Sequence, residues 1–154
     1  WLADWIEAED NGPLVGNLTV EFDNVRGATF TFRFTGSTNS LARAADLSGS
    51  TNTVLSFDYR RAALSAGDYV AVEVSSNGTA GTWTELARLS GAAADAAYLT
   101  TNFNITAFAS TNTASAPREA GTSSSLKKWS SDPLLGTQRT FRTRRFCVLP
   151  LASR

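Results

Sequence analysis

Thr29-Phe30-Thr31-Phe32-Arg33-Phe34 is the stretch on which the fold class turns. Three Phe side chains at every second position share one face of an extended segment, and Thr29, Thr31 and Arg33 occupy the other. The same period of two returns along the chain. Leu55, Phe57 and Tyr59 alternate with Ser56, Asp58 and Arg60, and Val70, Val72 and Val74 alternate with Tyr69, Ala71 and Glu73. Leu18, Val20 and Phe22 form a further apolar face, and Trp83–Leu89 and Leu99–Ile105 read as two more strands. Between these runs stand Gly36-Ser-Thr-Asn, Gly49-Ser-Thr-Asn, Ala66-Gly-Asp and Asn77-Gly78, where positive φ or Asx-type bonding is cheap. Asn77-Gly78 is a hairpin signal, lengthened by Thr79-Ala-Gly81 into a longer loop. Short one-faced strands with frequent turns predict an all-β, antiparallel two-sheet sandwich.

Composition removes several chemistries. The 154 residues include no His, one Cys and no Met. A Ser-His-Asp triad, a Cys-His pair and an imidazole acid or base are therefore excluded, and so is an internal disulfide. Cys147, between Phe146 and Val148, has no neighbour that argues for reactivity. No run approaches the roughly 20 apolar residues of a membrane-spanning helix. The acidic opening Trp1–Asp10 does not read as a signal peptide. A start at Trp without Met reads as a fragment or processed product; for an exported parent protein the signal is expected upstream.

The formal charge of zero hides a split. Residues 1–112 hold six basic and twelve acidic side chains, a net of −6, and residues 113–154 carry the compensating +6. Alternation fades from about Ser115, and the basic-aromatic run Phe141-Arg-Thr-Arg-Arg-Phe146 lies beyond. The reading is a sandwich over 1–112, incomplete at its edges, followed by a basic, irregular and poorly ordered tail over 113–154. No nucleic-acid-binding motif accompanies these basic residues, so no nucleic-acid partner is expected.

Several segments, in order, carry a resemblance. They are Ser40-Leu-Ala-Arg-Ala-Ala-Asp-Leu-Ser-Gly49, Val54-Leu-Ser-Phe-Asp-Tyr-Arg60, Gly67–Ser75, Trp83-Thr-Glu-Leu86 and Phe103-Asn-Ile-Thr-Ala-Phe108. Together with Trp5-Ile-Glu-Ala-Glu-Asp10-Asn-Gly12 they resemble a bacterial extracellular jelly-roll module, similar to the MAM and laminin-G-like members of the concanavalin-like class. The resemblance covers about residues 1–110. It implies a two-sheet jelly roll that is secreted or cell-surface, used for adhesion, binding or spacing, and often carrying a structural calcium ion. Such modules close with a Val- and aromatic-rich strand. Thr113–Arg118 and Leu126–Asp132 do not supply it. Leu126-Lys-Lys-Trp-Ser130, written with the codons CTG-AAG-AAG-TGG-TCN, reads Glu-Glu-Val-Val two bases along. A tail translated out of frame after about Asn112 is therefore expected, and the coding DNA tests it.

Candidate site residues follow from side-chain chemistry. Glu7, Glu9 and Asp10 offer hard oxygen ligands for Ca²⁺, but without EF-hand spacing, and a solvated acidic turn is the better account of them. Trp83, Tyr69 and Tyr98 are candidate platforms for sugar rings. Trp83 follows the Gly-containing loop, and both a place at its rim and a place in the core remain open. Glu73 and Glu85 read as cross-strand neighbours and not as a glycosidase dyad, so no catalytic residue is assigned. The expected function is a non-catalytic extracellular adhesion, binding or spacer module of a larger secreted bacterial protein, with glycans or surface proteins as partners. The alternative is a carbohydrate-binding module attached to an exported hydrolase.

Overall fold

The computed structural model describes residues 6–8, 16–23, 29–36, 38–62, 64–90, 94–120, 124–127, 131–132 and 139–143, with main chain only beyond Arg118. In chain order the strands are β1 (Ile6–Ala8), β2 (Leu18–Asp23), β3 (Thr29–Gly36), β4 (Ser40–Ala45), β5 (Thr53–Arg61) and β6 (Tyr69–Ser75). There follow β7 (Thr84–Ser90), β8 (Leu99–Asn104), β9 (Thr113–Ala120), β10 (Ser124–Lys127), β11 (Ser131–Asp132) and β12 (Arg139–Thr143). A single 3₁₀ turn, Thr106–Phe108, is the one helical element among the described residues. The chain is an all-β sandwich.

One sheet has the order β1-β4-β9-β6-β7. The other runs β11-β12-β5-β10-β3-β2, with β8 also paired to β5. Every pairing is antiparallel except β12 with β5. The alternation seen in the sequence decides which faces meet. Leu41, Val70, Val72, Val74 and Leu89 of the first sheet pack with Leu18, Phe34, Leu55 and Phe57 of the second. Each such side chain, fully buried, contributes about 1.5–3 kcal/mol. Along β2 the burial declines from Leu18, through Val20, to the exposed Phe22, so the β2–β3 hairpin runs outward past the core.

The sandwich does not end near residue 112. Thr113–Ala120 is β9, paired to β4 on one side and β6 on the other. It is the middle strand of its sheet, where an irregular tail was expected. Two features disguise it. Its apolar positions are the small Ala114 and Ala116, and Pro117 occupies an interior-strand position that normally requires an N–H. The β4–β9 ladder shows the consequence. Ser40 pairs with Arg118 and Arg43 with Ser115, while the positions between them, opposite Pro117 and Ala116, form no pair. Arg118 and Glu119 cancel, so the charge balance is the same for a boundary after 112 or after 120. Main chain beyond it continues the second sheet, with β10 lying between β3 and β5.

A salt-bridged clasp holds the segment before β8. Arg61, at the end of β5, donates from Nε and from one terminal guanidinium nitrogen to the two carboxylate oxygens of Asp95, each at 2.9 Å. Its main-chain N–H donates to Asp95 Oδ2 at 2.7 Å, and the Asp95 N–H returns a bond to the Arg61 carbonyl at 2.7 Å. Burial pushes the Asp95 carboxyl up, but the hydrogen bonds and charge of Arg61 outweigh burial and hold it below its ordinary value.

Candidate functional site

Alternation that buries Val70, Val72 and Val74 turns Tyr69, Ala71 and Glu73 outward, onto the face of the five-stranded sheet away from the core. A groove of ≈240 Å³ lies on that face. Its floor is made of small side chains. Ile6 pairs with Ala42 and Ala8 with Ser40, and the β4–β9 register sets Ala42 beside Ala116. Ala116 in turn pairs with Glu73. Residues this small leave a depression where longer side chains would fill the space. Glu73, Arg118, Thr79 and Trp83 rise around it.

The β6–β7 loop delivers Thr79 and Trp83. Gly78 has φ +71° and donates its N–H to the Asn112 carbonyl at 2.6 Å. Nearby, Ser110 Oγ donates to the Ser76 carbonyl at 2.6 Å. The loop is thus pinned to the turn before β9, which explains why the Asn77-Gly78 signal yields a folded-back loop and not a tight two-residue hairpin. Trp83 is half-buried and does not belong to the core cluster. It stands at the groove, the first of the two placements left open by the sequence.

Glu73 and Arg118 supply the charge. Ala71 pairs with Arg118 and Ala116 with Glu73, so the two charged residues are diagonal neighbours, about 7–8 Å apart at the main chain. No ion pair or hydrogen bond joins them among the described residues. Burial pushes the Glu73 carboxyl up; Arg118 opposes that shift, and Glu85, directly across the β6–β7 pair, adds to it. The β6–β7 register shifts between Val72 and Glu73, where Leu86 of β7 is skipped, so the ladder is irregular beside the groove.

A second unfavourable feature borders the same groove. Thr38 has φ +74°, a left-handed conformation that is costly for a β-branched residue. The link between β3 and β4 therefore places a strained residue, Thr38, at the groove. Strain and a desolvated carboxylate collect at functional sites because the surrounding fold must hold them there.

The other aromatic candidates lie elsewhere. Tyr69 shares the sheet face, but the Arg88 guanidinium covers its ring at 4.2 Å from the centroid, and Arg88 also donates to Glu85 at 2.7 Å. Tyr98 is on the opposite sheet's side, with Arg60 at 5.8 Å. Trp83 alone of the three lines the groove. Of the proposed calcium ligands, Glu7 pairs with Leu41, on the side of β1 opposite Ile6 and Ala8, and so is directed away from the groove. Glu9 and Asp10 lie outside the described residues. The described residues contain no group of three His, Cys, Asp or Glu placed to hold a metal ion. They also contain no helix long and apolar enough to cross a membrane.

Glu85 does stand opposite Glu73, as the sequence suggested, on adjacent strands of one sheet. Arg118 and Thr38 were missed as site residues. Arg118 was assigned to the tail, and Thr38 carries no local signal beyond a generic turn. No protein-family model matches the chain, and no curated protein matches it.

Proposed function

We propose that the chain is a non-catalytic, extracellular binding module of a larger secreted bacterial protein, and that its ligand is a saccharide held in the groove. The jelly-roll resemblance supports the extracellular setting. The interleaved strand order, with β9 between β4 and β6 and β10 between β3 and β5, supports the jelly-roll reading. The carrying observation is the joint placement of Trp83, Glu73 and Arg118 around an alanine floor. Saccharides require an aromatic or apolar surface for their C–H faces and a few convergent polar groups for their hydroxyls. A spacer needs neither a half-buried carboxylate with no ion-pair partner among the described residues nor a strained Thr38. The same groove suits a carbohydrate-binding module attached to an exported hydrolase, which differs only in its neighbouring domain.

A non-catalytic role is supported by the carboxylates themselves. Among the described residues lining the groove Glu73 is the one carboxylate, with Glu85 outside it, whereas hydrolysis of a glycosidic bond canonically uses two facing the bound sugar. A glycan array is the test. Saturable binding that is lost in Trp83→Ala is expected. Absence of binding to any glycan, or binding unchanged in that variant, contradicts the proposal.

A further inference from the structure

The groove offers three different surfaces within one sugar's reach, and resting on the saccharide reading they narrow the ligand class. Glu73 presents an acceptor whose charge is poorly solvated. Arg118 presents donors only, one diagonal step away. Between and beside them Ala42 and Ala116 line the groove and present a narrow apolar surface, the two residues being 6% and 3% exposed. A hydroxyl is both donor and acceptor, and either charged group serves it, but it gains nothing from the alanine floor. An ammonium group matches Glu73 and is repelled by Arg118. A carboxylate or sulfate matches Arg118 and is repelled by Glu73, with Glu85 behind it.

One substituent common on sugars needs all three surfaces together. A secondary amide carries an N–H donor, a carbonyl acceptor pointing the other way and, when acetylated, a methyl group. We propose that the groove recognises the acetamido group of an N-acetylated amino sugar. Glu73 accepts the amide N–H, Arg118 donates to the carbonyl, and the methyl rests on Ala42 and Ala116. Trp83 provides apolar contact for the ring that bears the group. The ligand class is accordingly a glycan of N-acetylhexosamine units, and the binding is non-covalent.

Calorimetric titration of the 154-residue chain with three β-1,4-linked tetrasaccharides of equal length tests this. The probes are the N-acetylglucosamine tetramer, its fully deacetylated counterpart and the glucose tetramer. The acetylated probe is expected to bind at least about tenfold more tightly than either of the others, the scale of a charge-assisted hydrogen bond. Ala116→Val fills the space assigned to the methyl and is expected to abolish that preference. Equal affinity for all three, or tighter binding of the deacetylated probe, overturns the acetamido assignment but leaves the saccharide reading standing. Failure of every saccharide, here and on the array, overturns both.

Discussion

Glu73 and Arg118 face the same groove from adjacent strands, one pleat apart, and no ion pair joins them. Opposite charges so placed on a sheet surface ordinarily close on one another, because a cross-strand pair contributes a few tenths of a kcal/mol and costs little strain. Held apart across an alanine floor, they are available to a ligand.

Trp83 is expected to matter for binding more than for folding. It lies outside the core cluster, so Trp83→Ala should leave a cooperative unfolding transition. Saccharide affinity should fall by at least about tenfold, given the contribution of aromatic contact. Thermal melts paired with calorimetric titration check the two halves separately.

Gly78→Ala should disturb the site from a distance. Its φ of +71° is unfavourable for Ala by about 1–2 kcal/mol, and a Cβ there would collide with the Asn112 side chain. Both stability and saccharide affinity are expected to drop, since the loop that carries Thr79 and Trp83 would have to move. Unchanged affinity in a destabilised variant would detach the loop from the site.

Glu73 should make the folded chain less stable as pH rises. Its carboxyl binds a proton more tightly in the folded chain than at its ordinary value of 4.5, so ionisation opposes folding. That opposition is absent well below 4.5 and complete once the pH passes the raised folded value. Arg118 moderates it and Glu85 strengthens it. Glu73→Gln is therefore expected to raise the urea midpoint at pH 7 and to have little effect near pH 3.5.

Asp95 carries the opposite sign. Its folded value lies below the ordinary 3.8, so the clasp with Arg61 contributes fully above that value and is lost as pH falls through the lower one. Asp95→Asn should cost roughly 2 kcal/mol at pH 7, the usual scale for hydrogen bonds to a charged group in a partly buried setting. The cost should shrink in strong acid. Denaturation curves of both variants across pH 2–8 separate the two signs.

The fold was legible where bulky and polar residues alternate. Val70, Val72 and Val74 on β6, and Leu55 and Phe57 on β5, gave strand, face and core together, because a period of two leaves one arrangement for each side chain. The middle strand was not legible. Ala114, Ala116 and Pro117 lack the bulk and β-branching that mark strands, and Pro117 argues against a central position even though neighbours on both sides hold it there. That omission concealed half of the site, since Arg118 and Ala116 lie on β9. Trp83 was found as a candidate because its chemistry is local. Its companions were not assembled with it, because Glu73, Arg118 and Ala42 meet only through the register of three strands.

An NMR titration of isotope-labelled chain with the N-acetylglucosamine tetramer bears most directly on the groove as a saccharide site. Saturable shift changes concentrated at Ala42, Glu73, Trp83, Ala116 and Arg118 are the expected result. Shift changes centred instead on Tyr98 and Arg60, or none at millimolar ligand, would contradict it.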